Sequence, residues 1–270
     1  MKVLLIGPYY RLLSGEPEYV TEPLGLCYLE AVLESRYEIK ILDCVVEGYE
    51  QVIYSGKYRH IGLLPSEVKN RIEHENPDVV GISALFFSQA TCAHEIAKIA
   101  KEIDEDIVVV LGGAYPSSSP EMVLKDKNVD FVVRGEGEVT FSELVEKIEK
   151  GEDVYKVRGI AYQKKGEIVL SHERTPIKNL DDIPFPARHL VPFMKYQEMW
   201  LKTARKPVRR VLKSFPSLIK YYDAYREMRG HYPRLPLASL LAGAAHSDVA
   251  SARFITCGVA NIGCVLRKTS

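Results

Sequence analysis

Glycine closes or closely follows several short apolar runs early in the chain: Gly7-Pro8, Gly112-Gly113 and Gly135-Glu136-Gly137, with Ser83-Ala84-Leu85 ending another. A glycine lets the backbone approach a bulky ligand and lets peptide N–H groups face phosphate or amide oxygens. Taken singly, each is also ordinary corner chemistry between a strand and a helix. Gathered on one edge of one sheet, they point to a ligand site. A flavin or dinucleotide would need a first loop of the G-x-G-x-x-G kind, and Gly7-Pro8-Tyr9-Tyr10 lacks it. A phospho-acceptor receiver domain would carry acidic residues at the ends of its first and third strands, where Gly7 and Ser83 stand. Among the histidines, His60 reads as a loop residue, and His74 and His94 fall on helical segments as solvated or packed residues.

The elements that must position these corners follow from hydrophobic patterning. Val3–Ile6, Glu38–Leu42, Val79–Ser83, Ile107–Leu111 and Phe131–Val133 read as short apolar strands, mostly without polar alternation, as parallel strands covered on both faces do. Helical segments separate and follow them at Leu24–Glu34, Pro65–Glu75, Gln89–Ile103, Pro120–Lys125 and Thr140–Lys150. In the last, Phe141, Leu144, Val145 and Ile148 share one face. The pattern predicts an α/β fold: a Rossmann-like, flavodoxin-like doubly wound five-stranded parallel sheet, with ligands at the carboxyl ends of its strands. Arg158–Gln163 and Glu167–Leu170 predict a β-hairpin, a proline-punctuated linker follows, and the remainder reads as a mostly helical extension. The expected domains are 1–155, 156–196 and 197–270.

Composition excludes several classes. The formal net charge is zero, which argues against a general nucleic-acid binder. Residues 202–234 nevertheless hold ten Lys/Arg against two Asp/Glu. That segment reads as a solvated helical face, with docking of an acidic partner or weak nucleic-acid contact as alternatives. The five cysteines are odd in number and scattered, so no disulfide framework is expected and the setting reads as reducing and cytoplasmic. The longest late apolar run, Leu235 to Ala245, is too short to span a membrane, and the N-terminus lacks a signal-peptide pattern.

Several strings occur in a specific order: Glu22-Pro23-Leu24-Gly25-Leu26, Gly112-Gly113-Ala114-Tyr115-Pro116, Val133-Arg134-Gly135-Glu136-Gly137-Glu138, Gly159-Ile160-Ala161-Tyr162 and Leu180-Asp181-Asp182-Ile183-Pro184-Phe185-Pro186-Ala187-Arg188. With them, residues 1 to about 196 resemble the cobalamin (B12)-binding N-terminal domain, and the stretch that follows it, of B12-dependent radical SAM proteins. B12 domains carry Asp-x-His-x-x-Gly after the second strand, the imidazole serving as lower cobalt ligand. Here Asp43, Val45 and Gly48 hold those positions. Valine has no lone pair to give a metal, so the resemblance implies a corrin held base-off without a histidine ligand, its nucleotide tail inserted beside the sheet. Asp43 also fits as an ordinary strand-end residue. The resemblance further implies that Ser83 bonds the tail's dimethylbenzimidazole, the alternative being a cap for the third helix. It places Leu85, Gly112, Gly113, Gly135, Glu136 and Gly137 around the same cofactor.

In that family a partial barrel follows, opening with Cys-x3-Cys-x2-Cys, whose thiolates hold a [4Fe–4S] cluster that binds S-adenosylmethionine. Cys257 and Cys264 keep the outer spacing, but Asn261 stands in the middle and is a poor iron ligand. Two incidental thiols are the plainer reading, and the cluster and S-adenosylmethionine are expected only if a complete barrel exists elsewhere. The implied function is the corrinoid-binding module of a radical SAM enzyme performing methyl transfer or rearrangement. A catalytic domain or subunit would be its partner, because the 270 residues hold no barrel. The alternatives are a stand-alone, non-catalytic corrinoid carrier acting through a partner and a scaffold that has lost its ligand.

Overall fold

The computed structural model describes residues 1–16, 20–192, 195, 196 and 199. The chain divides into two compact units, Met1–Tyr196 and Gln197–Ser270, and the elements below belong to the first. Cys257, Asn261, Cys264 and the basic segment 202–234 lie outside the described residues.

In chain order the first elements are β1 (Lys2–Gly7), β2 (Tyr10–Leu13), α1 (Leu24–Leu33), β3 (Glu38–Asp43), α2 (Cys44–Glu47), β4 (Val52–Ser55), β5 (Tyr58–Ile61) and α3 (Pro65–Glu75). Then follow β6 (Val79–Ser83), α4 (Ala90–Ile103), β7 (Val108–Gly112), α5 (Ala114–Ser118), α6 (Pro120–Val123), β8 (Phe131–Val133), α7 (Gly137–Lys150), β9 (Ile160–Lys164) and β10 (Glu167–Leu170). The main sheet has the order β10-β9-β8-β7-β6-β1-β3. Five strands, β3 through β8 in that row, are parallel, and β9 and β10 continue it antiparallel. The parallel part is the expected flavodoxin-like arrangement, in which the chain passes from β1 out to β3 and returns to β6 on the other side. Ligands of such sheets bind outside the carboxyl ends near that reversal. The hairpin does not stand apart from the sheet. It covers the edge of β8, turning at Lys165-Gly166, both with positive φ (51° and 84°), which is the backbone of a tight two-residue hairpin.

Alternation along each strand feeds two cores. Leu4, Ile6, Val80, Ile82, Val109 and Leu111 face α3 and α4, while Val3, Leu5, Val79, Val110 and Val133 face α1 and α7. Burial on both faces is why these strands read as nearly continuous apolar runs. On α4 the buried positions Ala93, Ile96, Ala97 and Ala100 repeat at helical spacing, and the alanines let the helix lie close to the sheet. The helix α3 opens on Pro65, whose fixed φ suits a first turn, and stops at Asn76 in the left-handed region (φ 46°).

A second, three-stranded antiparallel sheet, β2-β5-β4, is not anticipated by the patterning above. His60 therefore sits on β5 rather than in a loop. Its Nε2 lies 3.1 Å from the Gly62 carbonyl and 2.9 Å from that of Leu63, so that nitrogen carries the proton, and its ring rests against Tyr9.

Candidate functional site

A cleft of about 730 Å³, counting its open mouth, lies where the carboxyl ends of β6, β7 and β8 meet α1 and α7. Gly81, Val110 and Phe141 belong to its apolar lining. Gly81 is glycine for a packing reason: a Cβ there would stand 2.9 Å from Leu5 Cδ2 and 3.1 Å from Phe141 Cζ. Seven of the residues expected to contact a ligand line this cleft: Ser83, Leu85, Gly112, Gly113, Gly135, Glu136 and Gly137.

The glycines divide by cause. At Gly113 the backbone is left-handed (φ 108°) and a Cβ would collide with the Ala84 carbonyl oxygen at 2.6 Å, so chain crossing alone demands glycine. At Gly137 a Cβ would meet Leu29 Cδ2 at 3.2 Å, where α1 and α7 touch. Gly135 has φ +74° and nothing within 4 Å of a would-be Cβ. Gly25 and Gly112 have neither excuse. Neither has a left-handed backbone, and a side chain would meet nothing within 4 Å at Gly25 and only Val133 Cβ, at 3.9 Å, at Gly112. Their missing side chains leave space that no atom of the described residues fills. Gly25 stands in a recognisable sequence string, yet only the cleft shows that it belongs to the site.

At the corner after β6, no side chain among the described residues caps the first turn of α4. The N–H groups of Leu85 and Phe86 donate to Gln89 Oε1 at 2.9 and 3.1 Å, so Gln89, not Ser83, holds the loop that leads into α4. Leu85, Phe86 and Phe87 are exposed there, and the Phe87 ring lies edge-on to Tyr115. Tyr115 is in turn held to His94 Nε2 (3.1 Å), and His94 Nδ1 faces Asp126 Oδ2 at 2.6 Å, so His94 ties α4 to α5 and to the turn after α6.

Polar side chains are few in the cleft. Ser83, Glu136 and Glu138 line it, and among the described residues no Lys, Arg or His does. Glu136 Oε2 accepts a hydrogen bond from Ile177 N at 2.6 Å. That contact belongs to a strap that runs from α7 to α1. Arg174 bonds Thr140 and Glu143, Ala187 N donates to the Cys27 carbonyl, and Arg188 makes a forked pair with Glu22.

Asp43, Val45 and Gly48 gather outside the cleft lining, at the carboxyl end of β3 beside Gly7. Asp43 Oδ1 accepts from Val45 N (3.0 Å) and Val46 N (3.2 Å), capping α2, and Oδ2 accepts from the Tyr196 hydroxyl at 2.7 Å. Burial pushes the Asp43 carboxyl up to about 6, and these three hydrogen bonds pull against that rise. Val45 is buried. Gly48 is required by the fold, since a Cβ would lie 2.2 Å from Leu63 N. No cluster of three or more His, Cys, Asp or Glu side chains suited to a metal ion occurs among the described residues.

Residues 10–145 match the B12 binding domain family. The chain is 36% identical over 199 residues to an uncharacterized methyltransferase of Pyrococcus horikoshii, covering 73% of this chain and 40% of that protein. It is 34% identical over 223 residues to the cytidylyl-2-hydroxyethylphosphonate methyltransferase of Streptomyces wedmorensis, covering 73% of this chain and 42% of that protein. The chain thus spans about two fifths of these relatives' length. Among solved structures, the cobalamin-dependent S-adenosylmethionine radical enzyme OxsB with aqua-cobalamin bound superposes with TM-score 0.57 at 20% identity, over 73% of this chain and 25% of that one. That likeness concerns the fold.

Proposed function

The chain belongs to the B12 binding domain family, and we propose that its cleft takes the nucleotide tail of a cobalamin as part of a methyl-transferring radical SAM enzyme. The observation that carries this reading is the space kept open by Gly25 and Gly112, which no protein contact and no backbone conformation explains. Apolar walls with a few polar groups suit a flat, largely apolar heterocycle, and Ser83, which lines the cleft and does not cap α4, would hydrogen-bond its ring nitrogen. Bound cobalamin would supply a cobalt centre able to carry a methyl group, chemistry that the protein's own side chains lack.

The chain's residues do the holding. Val45 offers cobalt no lone pair, and Asp43 is already engaged by α2 and Tyr196, so the reading includes a base-off corrin without a protein imidazole below it. Methyl transfer is favoured over rearrangement by the two methyltransferases that share a third or more of the aligned residues. A radical SAM catalytic domain or subunit would be the partner. Cys27, Cys44 and Cys92 are buried free thiols, in keeping with a reducing, cytoplasmic setting. No helix among the described residues is long and apolar enough to cross a membrane.

Titration with hydroxocobalamin and methylcobalamin, followed by the visible spectrum, tests the reading. Saturable binding with a base-off spectrum is expected, and Asp43→Ala should alter affinity but not the spectral form. Folded wild-type protein that binds neither corrinoid would sink it.

A further inference from the structure

One carboxylate in the cleft has an oxygen that no group among the described residues engages. Glu138 lies in the first turn of α7 and lines the cleft, yet its Oε2 is buried from water without any hydrogen-bond partner. A buried acceptor left unpaired costs on the order of 1–3 kcal/mol, more when charged, so native structures seldom keep one without a reason. The neighbouring Glu136 is different, because its carboxylate is taken by the Ile177 N–H. Among the described residues, no cationic side chain lines the cleft to neutralise Glu138.

These facts constrain what fills the space. With two carboxylates and no cation among the described residues, this lining repels a phosphate and accepts a neutral group. That group must bring an O–H or N–H donor to within reach of Glu138. We propose that Glu138 is the residue that selects the cofactor's tail, accepting a hydrogen bond from a donor on the nucleoside part, while the tail's phosphate stays outside the acidic lining. The inference rests on the cobalamin reading above and adds to it a discriminating contact. A corrinoid whose tail lacks the nucleoside gains nothing from Glu138.

The test compares cobalamin with cobinamide, which keeps the corrin ring but has no nucleotide, by visible-absorbance titration of the full chain. Glu138→Ala is expected to weaken hydroxocobalamin binding by about tenfold or more, the loss of one hydrogen bond to a charged acceptor, and to leave aquocobinamide affinity unchanged. Glu138→Gln keeps a carbonyl acceptor and the side chain's shape, so it should fall between wild type and the alanine variant for hydroxocobalamin and again leave aquocobinamide untouched. Should the alanine variant not fold, the glutamine variant decides by the same split. Equal weakening of both corrinoids, or none of either, would overturn the assignment by reducing Glu138 to a structural residue. Failure of wild-type protein to bind either corrinoid is a separate outcome, and it overturns the cobalamin reading together with this one.

Discussion

Replacing Gly25 by alanine should make the protein more stable and a worse binder at once. Gly25 is the second residue of α1, and a methyl group built there meets nothing within 4 Å. Glycine to alanine inside a helix gains up to about 1 kcal/mol, mostly by removing freedom from the unfolded chain, and somewhat less in the first turn. A gain of roughly 0.5–1 kcal/mol corresponds to a rise of about 1–4 °C in the melting midpoint of a domain of this size. The same methyl group projects into the space assigned to the ligand. Overpacking of a filled site costs about 1–3 kcal/mol, so corrinoid affinity should fall roughly 5- to 150-fold. Thermal unfolding followed by circular dichroism, paired with hydroxocobalamin titration, reads both effects. Gly113→Ala is the control with the opposite signature: φ 108° and a 2.6 Å approach to the Ala84 oxygen predict a loss of about 2–4 kcal/mol without ligand. A Gly25→Ala protein that binds as tightly as wild type, or that melts several degrees lower, would refute the division of the glycines by cause.

Three further outcomes are expected. Asp43 is raised from 3.8 to about 6 in the folded protein, so between those values the folded state keeps a proton that the unfolded state has released. Stability should therefore fall as pH rises from about 4 to about 6, by about 3 kcal/mol at most, and urea unfolding across that range should show the extra slope in wild type but not in Asp43→Asn. Tyr196→Phe leaves the buried Asp43 Oδ2 without its donor; a cost of about 1–3 kcal/mol and a further upward shift of the Asp43 titration by carboxylate NMR are expected. Arg188→Ala removes the forked pair with Glu22, which is half exposed on the arginine side, so global stability should drop by less than about 1 kcal/mol while limited proteolysis within residues 178–186 accelerates.

The parallel strands were legible because burial on both faces leaves an unbroken apolar run, as at Val79–Ser83. The hairpin was legible from Lys165-Gly166 between two β-rich runs. The β2-β5-β4 sheet was not, because Val52, Ile53 and Tyr54 are exposed and their period reflects a thin layer rather than a core. The glycines at 112–113 and 135–137 fall at corners lining the cleft while Gly7 does not, and sequence could not separate Gly112, which leaves room, from Gly113 and Gly48, which prevent collisions. That distinction depends on which backbone segments cross within about 3 Å. Glu138 stands in one of the strings that carry the resemblance, yet nothing in the sequence singled it out. Its importance is an absence, an acceptor with no donor, visible only once the surrounding atoms are in place. Tyr196 likewise lies 153 residues from Asp43, beyond the reach of local pattern.

The placement of β1 sets a timetable for synthesis. Val3 pairs with Val79 on one side and Ile39 on the other, so β1 becomes an interior strand of the sheet only after β6 has emerged. At about 5–20 residues per second, that interval is roughly 4–15 s. Throughout it, Val-Leu-Leu-Ile presents an unpaired edge that other nascent chains could join. The cleft is complete only once β6, β7, β8 and α7 have been made as well, so a ligand held there cannot template the earlier pairing of β1.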